Sequence, residues 1–196
     1  MSMTLSEVAA AAMVAGLRYR YDETLGMILV GFGETGFRDP NTGEHSIVIV
    51  LMLGDDGRTL QVFLPACYDL SECEHREAAF SCFLQICYRT SLLQFEYDAD
   101  SGHVHYVCEL PIEDGKLTAA QIGRVVSQMV HALEYFDPIV QRSMATGETD
   151  FDDADVDDGD DEGEGADRPP LELADLIRAA GGVEGLRRLL SDAGRV

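Results

Sequence analysis

The chain has 196 residues and a formal net charge of -22, which is enough sequence for one well-packed domain with an appendage. Its hydrophobic fraction of 46% is normal for a folded core, but no run approaches the roughly 20 apolar residues that span a bilayer. With only 14 Lys and Arg residues, direct nucleic-acid binding through phosphate contacts is not expected.

The first part of the chain predicts one helix followed by a three-stranded meander. Apolar residues recur at helical spacing from Thr4 to Tyr19, and this segment carries Glu7 without a leading basic cluster. We therefore interpret it as a folded helix and not as a signal peptide. Three β-rich runs follow, separated by residues typical of tight turns: Leu25–Phe32, His45–Leu53 and Thr59–Leu64.

A second helix is predicted from Leu70 or Ser71 to Thr90. Ser71 and Glu74 have the spacing of a capping box. In that motif the side chain of the first residue accepts from the backbone N–H of the second, and the side chain of the second accepts from the backbone N–H of the first. Acidic residues near this position also complement the positive end of the helix dipole. The pattern therefore predicts that the helix begins at about Leu70 or Ser71.

A second hairpin and a long helix complete the predicted domain. Alternating apolar residues indicate strands at Leu92–Tyr97 and His103–Leu110. Helical periodicity then continues from Leu117 to Met144, and Pro138 inside it should produce a kink. The order α-β-β-β-α-β-β-α indicates an α+β protein with an antiparallel sheet and a long C-terminal core helix.

The charge is distributed unevenly and divides the chain into three regions. We assign the α+β domain to residues 1–147, an acidic disordered linker to 148–170, and a short amphipathic helical tail to 171–196. Glu148–Asp167 holds 12 of the 36 acidic residues and almost no large apolar ones, so it cannot bury enough surface to offset chain entropy. In the tail, two short helices are expected at Leu171–Ala180 and Val183–Ala193.

The acidic segment partly matches the pattern of a calcium-binding loop. Starting at Asp153, carboxylates occupy several of the positions that an EF-hand uses as ligands. Asp158, however, stands where the sharp turn of that loop needs glycine, and Pro169 and Pro170 replace the start of a flanking helix. We therefore expect no formed calcium site.

The residue types that could act in catalysis or bind a metal do not form a catalytic or metal-binding pattern. The five cysteines contain no CxxC pair, and without an export signal we expect reduced, mostly buried thiols in a cytoplasmic protein. His103 and His105 share one face of a strand, but the opposite face is the apolar one, so both are expected in solvent. The sequence GFGETG at residues 31–36 lacks the following helix of a phosphate loop. No enzyme activity, cofactor or metal is predicted.

The informative anomaly is an excess of apolar residues. His45–Leu53 offers apolar side chains to both faces of the sheet, whereas a sheet covered on one side should alternate. The core helices could flank both faces; otherwise a second subunit, a partner segment or the tail must cover one of them. The residues expected to bind are Ile47, Ile49, Leu51, Leu60, Val62 and Phe63 in the sheet, with Leu173, Leu176, Ile177, Leu186, Leu189 and Leu190 in the tail.

This pattern resembles the chaperone fold of the type III secretion (CesT/Tir-type) family and the related YbjN-like bacterial regulators. The resemblance covers about Met1 to Met144 and rests on the element order and the long last helix. The turn DPNTGE at residues 39–44 and the hairpin LMLGDDGRTLQVFLP at 51–65 add local support. The resemblance implies a non-enzymatic protein that binds extended partner segments, often as a dimer.

Two binding functions remain open from the sequence, beside a third hypothesis of an enzyme that uses His103, His105 or a cysteine. In the first, a chaperone-like or adaptor protein holds a partner segment, by helix-in-groove packing or strand addition, and the tail docks in cis or recruits a second partner. In the second, the acidic chain acts as an inhibitor or nucleic-acid mimic that blocks a basic cleft. Binding that collapses with modest salt would favour the second function.

Overall fold

The computed structural model describes residues 2–54 and 57–151, which form three helices and six strands. In chain order these are α1 (Leu5–Val14), β1 (Tyr19–Asp22), β2 (Met27–Gly33), β3 (Ser46–Gly54), β4 (Thr59–Asp69), α2 (Arg76–Arg89), β5 (Gln94–Tyr97), β6 (His103–Pro111) and α3 (Ala119–Thr146). The predicted fold class, α+β with an antiparallel sheet and a long C-terminal core helix, is confirmed.

The strands form one antiparallel sheet in the order β1-β2-β3-β4-β6-β5. The three helices form a single layer, because α3 contacts both α1 and α2, while α1 also contacts β1 and β2 and α2 contacts β5. The buried helical side chains join one large cluster with alternate residues of the strands, including Ile49 and Val62. We call the sheet face in this cluster the inner face, and the opposite face the outer face.

The first helix begins as predicted and ends earlier. Thr4 and Glu7 form a capping box, in which the Thr4 hydroxyl accepts from the Glu7 N–H and the Glu7 carboxylate accepts from the Thr4 N–H. The helix ends at Val14 and not at Tyr19, because Gly16 adopts a left-handed conformation with φ of 76° that breaks the helical path. Tyr19–Asp22 becomes the edge strand β1, which the sequence patterns did not indicate.

The predicted capping box at Ser71 and Glu74 is wrong. Helix α2 begins at Arg76, and its N-cap residue His75 makes no side-chain capping bond. The preceding turn is held by other groups: the Asp69 carboxylate accepts from the Ser71 N–H at 2.8 Å, and the Arg76 guanidinium donates to the Leu70 carbonyl at 2.8 Å. These bonds satisfy backbone groups that a first helical turn would otherwise use.

Helix α3 has clear boundaries at both ends. Thr118 and Gln121 form a capping box at its start, and Gly147 ends it in the left-handed conformation with φ of 80°. Pro138 lies inside the helix, as the sequence indicates, and helical structure continues beyond it to Thr146. The predicted linker and tail lie outside the described residues from 152 onward. Among the described helices, none is long and apolar enough to cross a membrane.

The turn between β5 and β6 packs closely against the segment before α2. Gly102 has φ of 81°, and a Cβ atom built on it would lie 2.8 Å from Ser71 Cα. Its carbonyl oxygen accepts from the Leu70 N–H at 2.8 Å. Only glycine allows both the positive φ and the close approach to Ser71 without strain. This turn therefore fixes the hairpin against the segment before α2.

Candidate functional site

The strand register places a row of side chains across the outer face. Leu29 is opposite Val50, Val50 is opposite Phe63, and Phe63 is opposite Val107, so four apolar side chains cross β2, β3, β4 and β6 in line. The row ends in polar residues on the two edge strands, Arg20 opposite Leu29 and Gln94 opposite Val107. We call Leu29, Val50, Phe63 and Val107 the outer row.

A second row lies beside it on the same face and is apolar on β2 and β3 and polar on β4 and β6. Met27 is opposite Met52, which in turn is opposite Gln61, and Gln61 is opposite Glu109. The Gln61 amide donates to the Glu109 carboxylate at 2.6 Å. Met27 joins the outer row in a distinct buried cluster, with Leu25, Val48 and Met52 partly buried around it.

The structure corrects the sheet face that was expected to bind. All of the predicted sheet residues except Phe63 are fully buried in the inner cluster beneath the helices, with exposures of 0–1%: Ile47, Ile49, Leu51, Leu60 and Val62. These side chains are part of the main core, in one cluster with the buried residues of the helices. Phe63 alone lies on the outer face, and the predicted tail residues lie outside the described chain: Leu173, Leu176, Ile177, Leu186, Leu189 and Leu190.

The outer-face residues were missed because both alternate sets of β3 are apolar. Side chains of a strand alternate between the two faces, so Ile47, Ile49 and Leu51 belong together and Val48, Val50 and Met52 form the other set. The sequence offers no charged residue in either set that would mark the solvent side. A neighbouring strand gives the missing signal, since Gln61 alternates with buried residues and shares the outer face with Phe63.

The expectation that both β6 histidines stand in solvent is wrong for His105. Its side chain is only 9% exposed, and its Nδ1 atom accepts from the Ala66 N–H at 3.0 Å. Ala66 lies in an irregularity of β4 between Leu64 and Tyr68 and has φ of 47°. The irregular backbone leaves an amide without a ladder partner, and the imidazole satisfies it. His103 remains half-buried.

The five cysteines are all free thiols, as expected, and three are buried. Burial raises the pKa of Cys67, and it raises the pKa of Cys108 to about 11. Both thiols therefore stay protonated near neutral pH, a state in which sulfur is a poor nucleophile. Cys73 and Cys87 are half-buried.

Helix α3 carries one buried carboxylate. Asp137 is 8% exposed, and Gln141 Nε2 donates to its Oδ1 at 3.1 Å. Burial raises the pKa of Asp137. The nearby Tyr68 lies in the inner cluster, and burial together with the Asp137 charge raises the pKa of its hydroxyl. These groups lie on the helix-covered side and do not belong to the outer face.

A second apolar surface lies on the outside of α2. Leu84 and Tyr88 are one helical turn apart and are 72% and 93% exposed, and Leu92 just beyond the helix is 64% exposed. Together these three residues form the α2 stripe. Scattered exposed apolar residues are ordinary, but an aligned group of this kind is typical of a contact surface.

Comparison with known proteins adds no family to these observations. The chain matches no model of a protein family and none of the curated proteins with which it was compared. Across residues 2–54 and 57–151, no three His, Cys, Asp or Glu side chains are grouped as ligands of a metal ion. The outer face and the α2 stripe are therefore the two features from which a function can be argued.

Proposed function

We propose that this chain is a non-enzymatic protein-binding module, chaperone-like or adaptor in type, which holds an apolar segment of a partner on its outer face. The outer row is the observation that carries the proposal. It forms a continuous apolar line on a face where none of the buried side chains of the three described helices is found. This reading agrees with what the resemblance to the CesT/Tir-type and YbjN-like proteins implies.

The dimensions of the outer row favour a helical segment as the ligand. Neighbouring strands are about 4.8 Å apart, so four strands set the row at about 14 Å. A helix of ten residues is about 15 Å long. The edge strands β1 and β5 have only four residues each, which offers little backbone for strand addition. A helix laid across the outer row is therefore the mode of binding that we propose.

The non-enzymatic part of the proposal is supported by the state of the reactive side chains. Cys67 and Cys108 are buried thiols with raised pKa values, and the Nδ1 atom of His105 is occupied by a backbone N–H. None of these three groups is prepared for nucleophilic or acid–base work. Five unpaired thiols also suit a reducing compartment, and we propose the cytoplasm.

The proposal is tested with peptides selected from a random library on the immobilised full-length chain. We expect the selected peptides to be apolar on one face, and calorimetry to show about tenfold weaker binding to the Phe63→Asp variant. Val107→Thr, which keeps the side-chain volume, should weaken binding in a protein that circular dichroism shows to be folded. Tyr88→Asp is the matched surface control and should leave affinity unchanged. Binding that is lost in Tyr88→Asp and kept in Phe63→Asp contradicts the proposal.

Self-association is a second form of the same function, and the α2 stripe is the observation that favours it. Leu84 and Tyr88 present apolar area on a helix whose other side is packed on the core. A second copy of this chain could cover that area symmetrically. Light scattering coupled to size exclusion should then give a dimer mass for the wild type and a monomer mass for Tyr88→Glu. A monomer in both cases removes this form of the proposal.

A further inference from the structure

The apolar side chains of the outer face are more deeply buried than the described residues around them can account for. Met27, Leu29 and Val50 are 0–1% exposed, and Phe63 and Val107 are 4% and 5% exposed. Apart from Leu25 in the β1–β2 turn, every described member of this cluster belongs to a strand. Side chains on a sheet face without a second layer keep part of their surface in water. The outer face therefore requires a covering layer that the described helices do not provide.

The stretch beyond Phe151 has a composition that suits this role. Residues 152–170 are mainly acidic, but residues 171–196 return to an apolar pattern at helical spacing. Six of the apolar residues in that stretch are Leu173, Leu176, Ile177, Leu186, Leu189 and Leu190. A helix formed by about ten of these residues would match the outer row in length.

The described chain ends in a place from which the outer face can be reached. Phe151 packs against Phe136 with ring centroids 6.2 Å apart, and the Arg89 guanidinium lies 4.9 Å from the Phe151 ring centroid. Arg89 is the last residue of α2, the helix that contacts the edge strand β5. The chain is therefore held beside one edge of the sheet when it enters the acidic segment.

The length of the acidic segment is sufficient for the path around that edge. Nineteen residues, 152–170, have a root-mean-square span of about 24 Å as a flexible chain and reach about 60 Å when fully extended. One helical layer and one sheet are each about 10 Å thick. Like charges along the segment favour extended conformations, which lengthen its reach further.

Charge complementarity supports the same occupant. The domain of residues 1–147 has 20 acidic and nine basic residues, and the outer face carries the exposed carboxylates of Glu96 and Glu109 at its β5–β6 side. Residues 171–196 have four basic and four acidic residues, so this region lacks the net negative charge of the two regions before it. Arg187 and Arg188 lie between the apolar positions Leu186 and Leu189. An apolar helix with adjacent arginines fits an apolar row bordered by carboxylates.

We propose that the C-terminal segment 171–196 occupies the outer face of its own chain and that a partner must displace it. This inference rests on the proposed function, because it assigns the intramolecular competitor of the same surface. The acidic segment is then the tether that keeps the competitor at high local concentration. Binding of a partner is weakened by the fraction of molecules in which the segment is docked.

A photo-crosslinking experiment on the full-length protein tests the docking. Benzoylphenylalanine is placed at position 189, the protein is irradiated, and the products are mapped by peptide mass spectrometry. We expect crosslinks within a single chain to peptides that contain Met27 or Met52, because both methionines lie beside the outer row and the photoprobe reacts readily with methionine side chains. Their yield relative to total protein should not change on dilution.

A matched probe position and two contrary results complete the test. The same photoprobe at position 157, in the acidic tether, should give no crosslinks to the outer face. Crosslinks from position 189 that join two chains, or that map to Leu84 and Tyr88 on the α2 stripe, overturn the inference. A uniform scatter of crosslinks over the whole surface overturns it as well.

Peptide binding separates failure of this inference from failure of the proposed function. With the tail weakened by Leu186→Asp and Leu189→Asp in the full-length chain, a library-selected peptide should bind about tenfold more tightly than it binds the wild type. If the wild type and the tail variant bind the peptide equally and the crosslinks lie away from the outer face, the inference is wrong and the proposed function is unaffected. If the crosslinks lie on the outer face but neither protein binds a selected peptide, the proposed function is wrong and the intramolecular contact is supported.

Discussion

Val50 and Phe63 lie opposite each other on β3 and β4, and both are almost fully buried on the side of the sheet away from the helices. The next pair in the same ladder, Leu51 and Val62, is fully buried on the helix side. Strands β3 and β4 therefore form a wall shared by two apolar clusters. A partner or tail segment on the outer face rests directly on the backbone that supports the main core.

Phe63→Asp should release the C-terminal segment and expose it to protease. The carboxylate places a charge in the outer row, where an apolar helix can no longer pack without burying it. We expect trypsin to cleave after Arg178, Arg187 and Arg188 about tenfold faster than in the wild type. Tyr88→Asp on the α2 stripe is the control with the same added charge. Equal cleavage rates in the wild type and in Phe63→Asp speak against docking of this segment.

Asp137→Asn should stabilise the protein near neutral pH. Because burial raises the pKa of Asp137 in the folded state, the ionised carboxylate lowers stability at pH 7, and stability is regained as pH falls through the folded pKa toward the unfolded value. Asparagine keeps the oxygen that accepts from Gln141. Urea unfolding should show a higher free energy for the variant at pH 7 and a smaller difference at about pH 4.

Asp98→Asn provides a control of opposite sign. The Ser101 hydroxyl and the Asp100 N–H donate to the Asp98 carboxylate, which lowers its pKa in the folded state. This variant should lose stability near neutral pH, and the loss should fade as pH falls below the unfolded pKa. If Asp137→Asn also loses stability at pH 7, the assigned direction of the Asp137 shift is wrong.

Tyr106→Phe should keep or increase stability. The Tyr106 side chain is 1% exposed, and its hydroxyl makes no hydrogen bond to the described residues. A buried polar group without a partner costs about 1–3 kcal/mol, while the stacking of the ring on Phe95 at 4.5 Å is retained in the variant. We expect a gain of about 1 kcal/mol in the free energy of unfolding. Tyr88→Phe, at an exposed site, should change nothing, and a clear loss in Tyr106→Phe would mean that the hydroxyl has a partner.

Gly102→Ala should destabilise the fold more than Gly26→Ala. Both glycines have positive φ, 81° and 66°, which costs an alanine about 1–2 kcal/mol. At Gly102 the new Cβ would also meet Ser71 backbone atoms at 2.8–2.9 Å, whereas nothing lies within 4 Å at Gly26. The close contact should add about 1–3 kcal/mol to the loss, measured by urea unfolding. Equal losses would mean that the Ser71 segment moves away freely.

Partner binding should survive an increase in salt. Apolar contact with the outer row is not screened, whereas attraction between the acidic chain and a basic cleft weakens as the screening length falls from about 10 Å at 0.1 M to about 3 Å at 1 M salt. We expect the affinity of a selected peptide to change by less than about tenfold over this range. A steeper fall favours the inhibitor or nucleic-acid mimic instead, and neutralising substitutions at Asp152–Asp161 should then abolish binding.

The fold class could be predicted from the sequence because most elements carry an unambiguous local signal. Helix α3 shows apolar periodicity over many turns and a Thr118–Gln121 cap, and the β5–β6 hairpin has alternating apolar residues around a glycine-containing turn. Strand β1 was not predicted, since four residues are too few for periodicity to separate a strand from the end of a helix. Its existence depends on pairing with β2.

The candidate site could be predicted only in part, for a physical reason. The apolar excess of β3 indicates that both faces of the sheet are covered, but a period of two cannot say which set of side chains meets the helices. That choice is made by long-range packing, which puts Ile49 and Leu51 in one cluster with the buried side chains of the helices. Likewise, the burial of His105 depends on an irregular backbone at Ala66, which has no signature in the sequence.

The shortness of β1 and β5 has a consequence for the behaviour of the protein at high concentration. Exposed edges of a sheet are the usual templates on which chains add to one another and grow into fibrils. Here each edge strand contributes only four residues, and each carries charge, with Arg20 and Asp22 on one and Glu96 on the other. An incoming strand finds few backbone groups and a charged border. A chain with so much apolar sheet surface can therefore stay dispersed, provided that its flat face and not its edges makes the contacts.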